Sequence, residues 1–372
     1  MKVVVQNPQL TSDTWTSGIN DYVVEYLRMY RPAVRIWPAR RLVRWFRFLV
    51  RKGLPLHGWE YIWGPAALKN CDAWISFNGT ASILHDVIPK EFQGLKLYHV
   101  MDYTFRSLEA GRAFRSGKLD FLLGYARHDQ WCRYFASVFP DYENRVIPVP
   151  FGYGPRFRCV TGFEARTKKC VAMGSVNPVQ DPMSDARCIS SYVKFFEGVE
   201  WAHGMRQIIR ANVDSLDGAV DSYLPVPPMT KNTSYNSAAV LNKYQLFVND
   251  DSIMHYPPAR TYEGPACGTV MVCSDHPCYD DFGWQDGVNC LKHRAEDLDD
   301  FLKVVRDAVD DQARLRGLHE KTVERSRTFS HRAIARGLQI LVESVWNGER
   351  MNFADCWRRF NVDPIQESGD KR

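Results

Sequence analysis

Glu263 is a lone carboxylate in a run of mostly small residues, Ala259-Arg260-Thr261-Tyr262-Glu263-Gly264-Pro265-Ala266-Cys267-Gly268-Thr269. Leu246-Phe247-Val248 precedes the run and Val270-Met271-Val272 follows it, so it reads as a short helix between two buried strands. Gly268 ends that helix. Gly264, Ala266, Cys267 and Gly268 let the backbone approach another surface closely. The amino end of such a helix carries unpaired N–H groups and the positive end of the helix dipole, which suits a diphosphate. A carboxylate beside it can accept hydrogen bonds from both hydroxyls of a ribose. A crossover helix whose Glu merely caps its first turn would contain the same residues, because short motifs recur by chance.

Other groups invite metal chemistry. Asp250-Asp251 follows a strand, Asp280-Asp281 lies in a loop, and Cys273-Ser274-Asp275-His276-Pro277-Cys278 places thiols near an imidazole. The last segment lacks a second ligand pair at metal spacing, and there is no Cys-x-x-Cys. The acidic pairs read as solvated loop residues, and no metal is expected.

These groups need elements to hold them. The first 150 residues alternate short β runs with helical patterns: strands at Lys2–Gln6, Ala73–Phe77, Lys96–Val100, Phe121–Ala126 and Val146–Val149, and a helix at Gly18–Tyr30. Such alternation predicts a parallel sheet covered by helices. A second series starts at Lys169–Gly174. Helical segments follow at Asp185–Phe196 and near Met205, then a Pro225–Pro228 loop, the Glu263 unit, a helix from Ala295 to Leu315 and a helical tail over Thr328–Phe360.

A chain of 372 residues accommodates two such domains. With 45% hydrophobic and 24% charged residues the composition is that of a soluble globular protein. The ten cysteines show no disulfide framework and read as buried reduced thiols. The first apolar run is too short for a signal peptide, and 18 consecutive apolar residues occur nowhere, so a cytoplasmic protein is expected. The net charge of +5 is unevenly spread. Arg31, Arg35, Arg40, Arg41, Arg44, Arg47, Arg51 and Lys52 are interleaved with Trp37, Trp45, Phe46 and Phe48, with no acid between them. This stretch suits peripheral contact with an anionic membrane or a lipid-diphosphate acceptor, or else an ordinary amphipathic helix with a solvated arginine face. No nucleic-acid motif accompanies it.

Downstream of the Glu263 unit come Gly287-Val288-Asn289-Cys290-Leu291, then Ala295-Glu296-Asp297-Leu298-Asp299-Asp300-Phe301-Leu302, then Thr328-Phe329-Ser330-His331-Arg332-Ala333. In that order, the segment from Leu241 to about Leu341 resembles the C-terminal domain of group-1 (family 4-like) glycosyltransferases of the GT-B fold. Val146-Ile147-Pro148-Val149-Pro150-Phe151-Gly152 resembles the family's interdomain linker. The resemblance implies two Rossmann-like α/β domains facing a cleft. Residues 1–150 would form the acceptor domain and 151–344 the donor domain, with a final helix over about 345–365 crossing back to the first.

It also implies roles. Glu263 would hold the nucleotide ribose of a nucleotide diphosphate sugar, with Thr261 and Tyr262 beside it on the donor side. Many members carry a second Glu eight positions earlier, where this chain has His255, whose imidazole could bind a sugar hydroxyl or phosphate. The family's Gly-Arg and following Lys after the first strand of this domain are replaced by uncharged Gly174-Ser175-Val176, which leaves Arg260 and Lys243 as candidate phosphate ligands. On the first domain, Gly18 and Asn20 open a helix after the first strand, and Asn78 ends another strand. Asp102 follows Val100 at a strand end, with Arg106 beyond it. Asp102 could act as a base on the acceptor hydroxyl or cap the following helix. An epimerase or hydrolase would need an acid–base set, for which Asp102, His99, His128 and His255 are the candidates. The expected activity is transfer of a hexose-like sugar, with retention and without metal or other cofactor, to a glycan or lipid-linked glycan in cell-surface polysaccharide synthesis. A nucleotide-sugar epimerase or hydrolase, or a catalytically silent nucleotide-sugar-binding module, is the alternative.

Overall fold

Short aliphatic runs, buried along most of their length, form the strands of two parallel sheets. The computed structural model describes residues 1–6, 21–37, 42–77, 88–100, 118–179, 192–216, 218–350, 352–353 and 356–359. The chain divides into two compact units, one of residues 1–150, 179–200 and 335–353, the other of 151–178, 201–334 and the chain from 354 onward.

In the first unit, β1 (Val3–Gln6), α1 (Tyr22–Tyr30), β2 (Val34–Trp37), α2 (Leu42–Arg51), β3 (Glu60–Tyr61), β4 (Ala73–Ser76) and β5 (Leu95–His99) are followed by β6 (Phe121–Gly124), α3 (His128–Trp131), α4 (Arg133–Val138) and β7 (Val146–Pro148). The described strands pair in the order β3-β2-β1-β4-β5-β6-β7, every pair parallel. β1 and β4 are buried throughout, as expected of central strands covered on both faces. The basic stretch is not one helix. Its first part is β2, where Arg35 turns to Glu60 of β3 at 2.5 Å, and Lys52 reaches Asp21 at 2.6 Å. Among the described residues of the stretch, the helical part is Leu42–Arg51. There Trp45, Phe48 and Leu49 are buried, whereas Val43, Phe46, Arg47, Val50 and Arg51 face solvent.

The second unit holds β8 (Thr167–Ala172), α5 (Gly204–Ala211), β9 (Val220–Ser222), α6 (Ser237–Lys243), β10 (Tyr244–Asn249), α7 (Arg260–Ala266), β11 (Val270–Ser274), β12 (Leu291–His293), α8 (Leu298–Asp310) and α9 (Gln312–Ser326). α10 (His331–Trp346) begins here and continues in the first unit from Ala335, where Tyr26 Oη donates to Gln339 at 2.7 Å. α11 (Cys356–Arg359) groups with the second unit. The strand order is β12-β11-β10-β8-β9, all parallel, so the winding direction reverses between β8 and β10.

The Glu263 unit is the predicted strand-helix-strand, β10-α7-β11. A side chain on Gly264 would run into the Phe247 ring, so the glycine is what lets α7 lie directly on β10. Gly268 ends the segment at φ +81°. Asn289 fastens the turn before β12, its Oδ1 accepting from Gln285 N at 2.8 Å and its Nδ2 donating to Gly283 O at 3.0 Å. The single helix expected over Ala295–Leu315 is two helices. Asp311 interrupts it, its carboxylate accepting from Arg314 N at 3.0 Å as the N-cap of α9. The helical tail is also broken, beyond Trp346, where Gly348 adopts φ +75°. Seven of the nine described cysteines are buried, and none of the nine is in a disulfide. No helix among the described residues is long and apolar enough to cross a membrane.

Candidate active site at the switch point of the second sheet

In a parallel sheet, the crevice for a ligand lies at the carboxyl ends of the strands where the winding reverses. Here those ends are Gly174-Ser175 after β8 and Asp250-Asp251 after β10. Gly174 sits at φ +129°, and a Cβ placed on it would stand 2.9 Å from Arg206 Nη1 and 2.9 Å from Arg260 Nη1. Two guanidinium groups, one from α5 and one from the start of α7, therefore converge over this glycine.

Arg206 is held in place by the strand ends. Its Nη1 donates to Ser175 O at 3.0 Å and its Nη2 to Asp250 O at 3.3 Å, while its backbone N–H donates to Asp250 Oδ2 at 3.1 Å. Burial lowers the Arg206 pKa; Asp250 opposes that shift and Arg260 adds to it. Burial also pushes the Asp250 carboxyl up, against the pull of Arg206. His203, just before α5, is held well below the ordinary histidine value by burial and by both arginines. Arg206 Nε, Arg260 Nε, His203 Nδ1 and Gln207 Oε1 are buried atoms without a hydrogen-bond partner among the described residues. Unpaired buried donors are costly unless a ligand completes them. Two guanidiniums against one carboxylate make this a place for a polyoxyanion, which the Arg fork matches in geometry.

One turn along α7 from Arg260, Glu263 is half-buried. Burial raises its carboxyl above the ordinary value, while Arg260 and Arg156 draw it back. Beyond β10, His255 occupies a left-handed backbone conformation, φ +49°, and its Nδ1 lies 2.9 Å from Asp251 Oδ2. Asp251 Oδ1 accepts from Ser274 Oγ at 2.7 Å. The acidic residues expected to be solvated are not: Asp250, Asp251 and Asp281 are buried, and Asp280 pairs with Lys292 at 2.7 Å. For Asp250 and Asp251 the reason is that they find partners at the strand ends, namely the Arg206 and Ser252 amides, Ser274 and His255.

Gly174, Ser175 and Arg260 are thus brought together, with Glu263 a turn away and His255 on the adjoining loop. Lys243 is not. It is exposed at the end of α6, just before β10, its ammonium over the Tyr244 ring at 5.2 Å, at the opposite end of the strand from Asp250. Tyr262 belongs to the core, its ring 5.0 Å from Phe329 and 5.9 Å from Phe282. Thr261 is internal, its Oγ1 accepting from Asn249 Nδ2 at 2.8 Å. Gly18, Asn20, Asn78, Asp102 and Arg106 lie outside the described residues. His99 and His128 are core imidazoles, buried and pushed down to about 3 by that burial, and are placed to pack rather than to act on a substrate. Sequence reasoning missed Arg206 and His203. A helix near Met205 was legible, but nothing in it signals that one arginine turns inward.

A family model described as glycosyl transferase-like matches residues 217–341. Among solved structures, Anabaena HepE in complex with UDP and glucose aligns at TM-score 0.54 and 9% identity, over 92% of this chain and 100% of that one. HepE in complex with UDP-glucose aligns at TM-score 0.53 and 10% identity with the same coverage. Sucrose-phosphate synthase from Thermosynechococcus elongatus aligns at TM-score 0.48 and 12% identity, over 94% and 100%, a likeness too low to argue from. No curated protein matches in sequence. The HepE alignments define the fold, GT-B. The family match bears out the resemblance to group-1 glycosyltransferases over residues 217–341.

Proposed function

We propose that the protein transfers a sugar from a nucleotide diphosphate sugar to a glycan or lipid-linked glycan, with retention, in cell-surface polysaccharide synthesis. The observation that carries the donor class is the convergence of Arg206 and Arg260 on Gly174 at the switch point, with Glu263 one turn away. The two guanidiniums would hold the diphosphate and offset the charge that grows on it as the sugar departs, the role a cation fills elsewhere, so the reaction needs no metal. Glu263 would accept the ribose hydroxyls, and His255 would face the sugar. That HepE is found with UDP and UDP-glucose supports UDP as the first nucleotide to try. Retention and the polysaccharide setting rest on the family resemblance.

The same reading includes a peripheral position at an anionic, cytoplasmic membrane face. On α2, Val43 and Val50 are 64% and 62% exposed, and Arg47 and Arg51 flank them. An outward face that mixes aliphatic side chains with arginines is suited to the headgroup region.

Calorimetric titration with UDP tests the donor site. Arg206→Ala and Arg260→Ala should each weaken UDP about 10- to 100-fold, the worth of a charge-assisted hydrogen bond. Unchanged affinity in both folded variants would refute the assignment. Product analysis with UDP-sugars then separates transfer from hydrolysis, epimerisation or binding alone.

A further inference from the structure

We propose that Asp251 is a positioning residue that locks His255 into one tautomer, so that an Asp251–His255 dyad, not a single side chain, meets the donor sugar. The inference rests on the donor site proposed above. A carboxylate oxygen can only accept, so the 2.9 Å contact requires the proton on His255 Nδ1, and the neutral ring is then the tautomer with its lone pair on Nε2. Asp251 is fixed from its other side by Ser274 Oγ at 2.7 Å. Burial alone would raise its pKa, but the hydrogen bonds from His255 and Ser274 outweigh burial and hold it below the ordinary carboxylate range. It therefore stays ionised as a hydrogen-bond acceptor.

His276 completes the arrangement. Its ring stacks on that of His255 with centroids 4.2 Å apart and planes within 3°. His276 Nδ1 in turn accepts from Cys278 N at 3.2 Å, which fixes its ring. With one edge of His255 on Asp251, one face on His276 and a side chain 42% exposed, the open edge is the one bearing Nε2. The loop that presents it begins at Asp250, the partner of Arg206. Two non-glycine residues of this short loop, Ser252 and His255, take left-handed conformations, a backbone cost consistent with a required geometry.

Donor atoms of Asp251, His276 and Cys278 also lie within 4.8 Å of one another. A metal reading is weaker on geometry. In the structure these atoms are otherwise engaged: Asp251 accepts from His255 and Ser274, and His276 Nδ1 accepts from Cys278 N.

The test uses protein labelled with ¹⁵N-histidine and UDP, UDP-glucose and UDP-galactose as probes. Long-range ¹H–¹⁵N spectra should show His255 as the Nδ1–H tautomer, with an Nε2 signal that moves on adding a UDP-sugar but not on adding UDP. Asp251→Asn should admit the other tautomer and weaken the UDP-sugars about tenfold while leaving UDP binding unchanged. His255→Ala, at a partly exposed site, should do the same to affinity, and the double variant should be no worse than His255→Ala alone. An unchanged tautomer in Asp251→Asn overturns the proposal. So does an Nε2 signal indifferent to the sugar, equal weakening of UDP and UDP-sugars, or additive losses in the double variant. Stoichiometric zinc lost on Cys278→Ser would also overturn it. Wild-type protein that ignores UDP altogether would sink the donor site itself, a failure visible before any variant is made.

Discussion

At the scale of single residues, Gly174 shows how an absent side chain can be functional. Its φ of +129° is one that L side chains rarely adopt, and the space a methyl group would need is taken by nitrogens of Arg206 and Arg260. Gly174→Ala should therefore act on the ligand more than on the fold, by forcing the two guanidiniums apart. The expected result is UDP affinity reduced about tenfold, with the far-ultraviolet circular dichroism spectrum unchanged. Titration calorimetry beside circular dichroism checks both halves. Ser175 was picked from the sequence with Gly174, yet it contributes its carbonyl, as the acceptor for Arg206. That role is invisible to any reading of side-chain types.

At the scale of elements, two features decide what the chain presents. Arg166 anchors the amino-terminal edge of the second sheet, donating to the carbonyls of Thr161, Leu241, Tyr244 and Cys267, so the ends of α6 and α7 share one buried cation. α2 does the opposite and leaves apolar groups outside. Because Trp45, Phe48 and Leu49 already satisfy the core, the exposed Val43, Phe46 and Val50 are not needed for folding. Phe46→Ser with Val50→Ser should leave the melting temperature unchanged and lower co-flotation with phosphatidylglycerol vesicles several-fold. Equal flotation of variant and wild type would favour a solvated arginine helix.

At the scale of the whole molecule, acid should be a more potent denaturant than the surface charge suggests. His99 and His128 are buried and held neutral, with pKa values near 3 against an ordinary 6.5. His99 is tied to Tyr22 Oη at 3.1 Å, and His128 Nε2 accepts from Tyr125 N at 3.1 Å. Above pH 6.5 neither folded nor unfolded chains protonate these rings, and their contribution is complete. Below it the unfolded chain takes up protons that the folded one refuses, so stability falls by about 1 kcal/mol per pH unit for each ring until about pH 3. Urea unfolding at pH 7.5, 6.0 and 5.0 should show this loss, and His99→Gln should flatten it relative to wild type.

The local order of the second unit was legible from sequence alone. Short apolar runs separated by helical patterns can only pack as a parallel sheet, and Gly264, Gly268, Asn289 and Asp297 each impose a backbone geometry on their own neighbourhood. Glu263 and Arg260 were singled out for the same reason, since both sit on the helix that the motif defines. What sequence could not convey was which polar groups turn inward from elements remote in the chain. Arg206 meets Gly174 and Arg260 only because the winding reverses between β8 and β10. Asp251 reaches Ser274 only because β10 and β11 pair in register. Lys243 and Tyr262 stand apart for the complementary reason: strand polarity puts one at the amino end of β10, and helix phase turns the other into the core. Period and turn chemistry are local properties of a chain, whereas burial and the meeting of charges belong to the packed sheet.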